Sequence, residues 1–146
     1  MGNIKAVCTS GIKGTQKKNV GTVVLREDWG IEGDAHAGRW HRQVSLLSYN
    51  RIEEFRARGA VVSDGAFGEN IVVSGIDFKS LPIGTRFICN DVILELTQIG
   101  KECHTGCAIF KQMGDCIMPR EGVFAMVVHG GTISVDDTLT VIPPEK

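Results

Sequence analysis

Apolar residues alternate with polar ones over short stretches of the chain, and helical spacing of apolar positions is rare. Ile4, Ala6 and Cys8 alternate with Asn3, Lys5 and Val7 and read as a strand. The glycine- and lysine-rich stretch Gly11 to Asn19 reads as an exposed loop, and the β-branched run Val20 to Arg26 as a second strand. Three glycines mark Trp29 to Gly38 as loop, and Gln43 to Leu47 follows as a buried strand. Tyr49 to Arg58 carries the clearest helical pattern. Tyr49, Ile52 and Phe55 share a face, Ser48 or Asn50 can cap the start, and Gly59 can end it.

Beyond the helix the short strands resume. Ile71 to Ser74 is one. Arg86 to Cys89 and Val92 to Thr97 flank Asn90-Asp91, which predicts a two-residue hairpin. Cys107 to Met113 has room for one or two helical turns. Phe124 to His129 and Thr132 to Val135 flank Gly130-Gly131, a second hairpin signal, and Thr138 to Ile142 is stopped by Pro143-Pro144. Seven to nine short strands with one clear helix predict a mainly β fold, a closed or partly open antiparallel β-barrel with one or two short helices. Closing the sheet removes exposed edges. No composition shift divides residues 1–146, so a single domain is expected.

Composition narrows the function. The 146 residues carry 16 basic and 17 acidic side chains, a balance that argues against a nucleic-acid binder working through a basic face. No apolar run is long enough for a membrane helix, and Met1 to Ser10 lacks the pattern of an export signal. Five cysteines (8, 89, 103, 107 and 116) are then expected as reduced thiols in the cytoplasm.

Three of those five lie between Cys103 and Cys116, in the stretch that begins Glu102 to Asp115 (ECHTGCAIFKQMGD). Lys101 and His104 flank Cys103, and neighbouring cations favour the reactive thiolate. Three readings stand: a soft metal ligand, a sulfur-carrying or redox thiol, and simple packing. A zinc or thiol-sensing site built from Cys103, His104, Cys107 and Cys116 lacks a paired knuckle spacing. A cysteine protease using His36 or His129 has no local support.

Two further segments carry candidate binding residues. Gly33 to Gln43 (GDAHAGRWHRQ) packs Asp34, His36, Arg39, His41 and Arg42 among glycines. Glycine lets main-chain N–H groups approach a ligand, and Arg forks onto a phosphate. Asp64 to Asn70 (DGAFGEN) offers Glu69 and Asn70. Asn can read a heterocycle edge as donor and acceptor, though a tight turn leading into a strand accounts for the same residues.

The segments GIEGDAHAGRWHRQVSLLS (Gly30 to Ser48), GAFGENIVVSGID (Gly65 to Asp77), LPIGTRF…LELTQ (Leu81 to Gln98) and REGVFAMVVHGGTISVDDTL (Arg120 to Leu139) occur in one order. Together they resemble the MOSC domain, the module named from the C-terminal part of molybdenum cofactor sulfurases. The likeness runs over roughly Ile4 to Ile142, and the compact form is similar to small stand-alone bacterial members. It implies a strand-rich barrel that binds molybdenum cofactor (molybdopterin) and handles its delivery or sulfuration through a cysteine thiol or persulfide.

Aligned on Thr97-Gln98, the characteristic cysteine falls at Cys103, which would also be the metal ligand. Cys107 and Cys116 are extra candidate thiols. Ile99 and Gly100 stand where reductase-type members have Pro-Arg, so a molybdenum-dependent reductase of N-hydroxylated compounds is the alternative. Asp34, His36, Arg39, Arg42, Glu69, Asn70 and Arg120 are the expected cofactor-binding residues. Sulfurases make their persulfide in a separate pyridoxal-phosphate domain, for which this chain has no room. Pyridoxal phosphate is therefore not expected here, and a cysteine desulfurase or a molybdoenzyme is the implied partner.

Overall fold

The computed structural model describes residues 1–12, 16–100 and 117–144. The expected helical turns at Cys107 to Met113 lie outside the described residues. Strands are β1 (Gly2–Thr9), β2 (Lys18–Asn19), β3 (Thr22–Arg26), β4 (Gly30–Ile31), β5 (Val44–Ser48), β6 (Ile71–Ser74), β7 (Arg86–Cys89), β8 (Val92–Ile99), β9 (Val123–His129), β10 (Gly131–Ser134) and β11 (Thr138–Ile142). Helix α1 spans Tyr49–Ala57 and the short α2 spans Met118–Glu121.

Seven strands close a barrel in the order β11-β7-β8-β9-β5-β6-β1, and β11 pairs with β1 to complete it. At that seam Gly2 faces Leu139 and Asn3 faces Thr138. A three-stranded sheet, β10-β3-β4, lies over the barrel. It sends Val23, Leu25, Ile31 and Ile133 into the barrel core beside Leu46, Phe87, Leu94 and Leu96. The mainly β closed barrel expected from the alternation is therefore the fold.

A second apolar layer sits outside the barrel wall. Helix α1 buries Ile52 and Phe55 against Ala6, Cys8, Leu47, Val72 and Phe67. Its start is capped by Ser48, whose Oγ accepts the Arg51 N–H, while Asn50 Oδ1 accepts the Gly75 N–H instead. Gly59, at φ +103°, follows its end. Because α1 covers one face and the barrel interior the other, all five residues of β5 are buried.

Besides the short strand β4, which pairs with β3 inside the stretch Trp29 to Gly38 expected as loop, three details depart from the pattern-based expectation. The pairing of β5 with β6 is parallel, since α1 carries the chain back to start β6 in the same direction. In β1 a bulge between Ile4 and Ala6 shifts the register, so Val7 joins Ile4 in the barrel core while Ala6 and Cys8 face the α1 layer. Gly130-Gly131 makes no hairpin. Strand β9 stays in the barrel and β10 pairs with β3, from Gly131 opposite Leu25 to Ser134 opposite Thr22. The crossing is tight: a Cβ at Gly130 would lie 2.5 Å from the Leu25 carbonyl oxygen. The hairpin at Asn90-Asp91 forms as expected, with Cys89 facing Val92 and Asn90 at φ +54°.

Candidate functional site

The loop from Gly33 to Gln43 is held at both ends by buried side chains. At its far end Gln43 is fully buried. Its Nε2 donates to Asp28 Oδ1 (3.0 Å), and its Oε1 accepts the Val127 N–H (2.9 Å). Just before it, Arg42 and His41 converge on one amide. Arg42 Nε lies 3.2 Å and His41 Nε2 2.8 Å from Gln98 Oε1. Gln98 Nε2 donates to the Gly100 carbonyl at 2.8 Å, which fixes which end of the amide faces the loop. The His41 Nε2 therefore carries the donated proton.

A bulge aims this cluster. Leu96 pairs with Ala125 and Gln98 with Phe124, so Thr97 is the extra residue in β8. Its hydroxyl donates to the His41 carbonyl, tying the loop to the barrel wall. The Arg42 guanidinium is stacked 5.1 Å from the Phe124 ring and 6.0 Å from the Trp40 ring. These contacts engage Nε and the guanidinium face, so the two terminal nitrogens are the donors suited to an anion.

The near end of the loop closes on Lys17. This side chain comes from the stretch expected as an exposed loop, yet it is only 2% exposed. Its Nζ lies 2.6 Å from Asp34 Oδ1 and 2.9 Å from His36 Nδ1. Asp34 also accepts N–H groups from Ser10 and His36, both at 3.2 Å. The two ends communicate through Trp40, whose Nε1 donates to the His36 carbonyl at 2.8 Å.

The second glycine segment supports the first. Glu69 is fully buried, and its carboxylate accepts N–H groups from Gly65 (3.0 Å) and Phe67 (2.9 Å). Burial pushes its carboxyl up to about 7 against the pull of those bonds. Asn70, 1% exposed, accepts from the Ser45 N–H and hydroxyl and donates to the Cys8 carbonyl. Gly65 in turn accepts the Lys17 N–H at 2.9 Å.

The expected site residues thus separate by position. His36 and Arg42 belong to one connected loop network, with Asp34 buried inside it. Glu69 and Asn70 spend their polar atoms inside the fold. Arg39 is largely exposed and leans toward Asp28 (4.0 Å), lining a cavity of about 540 Å³ with Arg26, Trp29, Glu32 and Gly33. Arg120 lies on α2, and its side chain is outside the described residues, as are Cys103, Cys107 and Cys116. The described thiols, Cys8 and Cys89, are buried, and desolvation pushes them up to about 12 and about 11. Neither Lys17 nor Gln43 is singled out by the sequence, and Thr97 enters there only through the Thr97-Gln98 pair. Nothing local distinguishes Lys17 from its exposed neighbour Lys18.

Among the described residues, no group of three or more His, Cys, Asp or Glu side chains is placed to hold a metal ion. No helix among them is long and apolar enough to cross a membrane.

Residues 33–140, which include the whole of this loop, the Glu69 turn and the β8 bulge, match the family model described as the MOSC domain. The chain belongs to the MOSC domain family. MOSC domains are associated with binding or sulfuration of the molybdenum cofactor. Solved structures share the architecture at low identity. The YuaD protein from Bacillus subtilis superposes with a TM-score of 0.79 at 20% identity, covering 97% of this MOSC chain and 96% of that one. YiiM from Geobacillus stearothermophilus gives 0.74 at 18%, covering 97% and 75%. YiiM from Escherichia coli gives 0.67 at 17%, covering 98% and 71%. No curated protein matches the sequence.

Proposed function

We propose that this MOSC protein binds molybdenum cofactor and handles its delivery or sulfuration through a thiol of the segment that follows Gly100, with Cys103 the working residue. The observation that carries the reading is the Arg42–His41–Gln98 cluster at the root of that segment. The Gly100 N–H donates to the Gly122 carbonyl at 2.7 Å, so the chain leaves β8 and returns through α2 at one point of the barrel wall. Cys103 follows Gly100 by three residues, and chain length alone holds its Cα within roughly 11 Å of Gly100.

The donor set fits the group. Molybdopterin ends in a phosphate, and the Arg42 terminal nitrogens together with main-chain N–H groups of the glycine loop suit it. When bound, the cofactor supplies a dithiolene-held molybdenum that accepts a soft thiolate ligand. Arg42 would orient the anionic end, His41 and Gln98 would hold Arg42 in place, and Cys103 would face the metal end. Asp34, Glu69 and Asn70 act one step back, by fixing the loops that carry these groups.

For sulfuration, the sulfur comes from a partner. The Cys103 thiolate attacks the outer sulfur of a donor persulfide, the S–S bond of the donor breaks, and the donor cysteine leaves as its thiolate. A cysteine desulfurase is the donor of that chemistry, and a molybdoenzyme the acceptor of the product.

Titration of the full chain with molybdopterin, followed by quenching of pterin fluorescence, tests the reading. Saturable binding is expected, weakened roughly tenfold or more in Arg42→Ala, as for loss of a charged hydrogen bond. Cys103→Ala should retain pterin binding and lose persulfide acceptance, read by intact mass after exposure to a desulfurase and cysteine. Absence of saturable binding in the wild-type protein would overturn the proposal.

A further inference from the structure

Lys17 is buried, carries a charge, and touches the loop at two points, yet the reading above gives it no task. An ammonium has three donors and no acceptor. The ring nitrogen 2.9 Å from it, His36 Nδ1, must therefore present a lone pair. The opposite tautomer would set an N–H against the ammonium. Its nearest acceptor in the pair, Asp34 Oδ2, lies 4.0 Å away, beyond hydrogen-bond reach. We infer that Lys17 is a positioning residue that fixes His36 as the neutral Nε2–H tautomer, so that the imidazole meets the site's ligand as an N–H donor to an anionic oxygen or sulfur and not as a base.

The surroundings enforce this arrangement. Asp34 balances the Lys17 charge through Oδ1 at 2.6 Å, with both side chains at 1% exposure or less. The same carboxylate takes the His36 main-chain N–H on Oδ2, which holds the ring's own backbone beside the lysine. Lys17 is fixed at its main chain as well. A Cβ at Gly65 would stand 2.1 Å from the Lys17 carbonyl oxygen, so the second glycine segment presses directly on the residue that steers the first. The His36 side chain is 37% exposed, enough to reach a ligand from a ring whose other edge is committed. Lys17 and Asp34 are charged groups on its Nδ1 side.

The inference rests on the cofactor-binding reading only for the identity of the ligand. Its test uses the free protein. In ¹⁵N-labelled full chain, long-range ¹H–¹⁵N correlation spectra report the protonation of each ring nitrogen, with His36→Gln assigning the signals. A neutral ring is expected for His36 in neutral buffer, with pyridine-type Nδ1 and pyrrole-type Nε2. In Lys17→Met, of similar length without the charge, that pattern should give way to exchange-averaged or doubly protonated nitrogens.

A protonated Nδ1 in the wild-type protein would overturn the assignment outright, whether or not Lys17→Met folds. An unchanged pattern in a folded Lys17→Met would overturn the part given to Lys17. Molybdopterin titration separates the two proposals. Lys17→Met and His36→Gln should each bind roughly tenfold more weakly while Arg42 is intact. A correct tautomer without any cofactor binding in the wild type would sink the proposed function and leave the tautomer standing.

Discussion

Cys8 shows how burial sorts chemically similar residues. It sits at 0% exposure under α1, with Glu69 and Asp64 adding to the desolvation that raises its thiol to about 12. Cys89, at about 11, is held up by burial and by Asp137. Thiolate is the reactive form, so both are inert near neutrality. Iodoacetamide at pH 8 should leave Cys8 and Cys89 unmodified in the native protein and label both after unfolding, as read by peptide mass spectrometry. Native labelling of either would contradict the placement.

Glu69 is the complementary case. Its folded value of about 7 lies above its ordinary 4.5, so the folded state holds the proton more tightly than the unfolded chain. The stability it contributes is fully present below about pH 4.5 and is lost as pH rises to about 7, by on the order of 3 kcal/mol at most. Urea midpoints between about pH 5 and about pH 8 should fall in the wild type. In Glu69→Gln they should be flatter with pH and lower overall, because one N–H of the turn loses its carboxylate acceptor. At this scale the sequence carried residue types and not their surroundings. His36 and Arg42 were visible as candidates, while Lys17 and Lys18 are interchangeable until the fold buries one of them.

Elements depend on where the chain turns, and here glycines decide. Asn90-Asp91 was legible as a hairpin because its two strands pair locally. Gly130-Gly131 looks the same in sequence, but the partner of β10 lies more than a hundred residues away in β3. The bulge in β1 was equally hidden, since an apolar Val7 fits either face until register is set. The contacts yield two expectations. Gly65→Ala combines φ +90° with the 2.1 Å approach to Lys17, and should cost at least about 2 kcal/mol in urea denaturation while disturbing the His36 nitrogen signals. Thr97→Val keeps the shape of the bulge residue but removes the hydroxyl that ties down His41. It should cost about 1 kcal/mol of stability and weaken molybdopterin binding through a looser Arg42.

At the level of the whole molecule the barrel was readable, because alternation with frequent turns leaves few other ways to hide sheet edges. The convergence of the two glycine-rich segments was not readable, since they meet through Lys17, in a stretch that looked like plain surface, and through the end of β1. The closed seam has a mechanical consequence. Strands β1 and β11 run antiparallel with Gly2 opposite Leu139, and β11 continues from there along β7 toward Ile142 opposite Arg86. Tension applied between the chain ends would therefore load the bridging bonds one after another, as a zipper, and not many at once in shear. Pulled in an optical trap, the protein should yield at low force from this seam, even where its resistance to heat is ordinary.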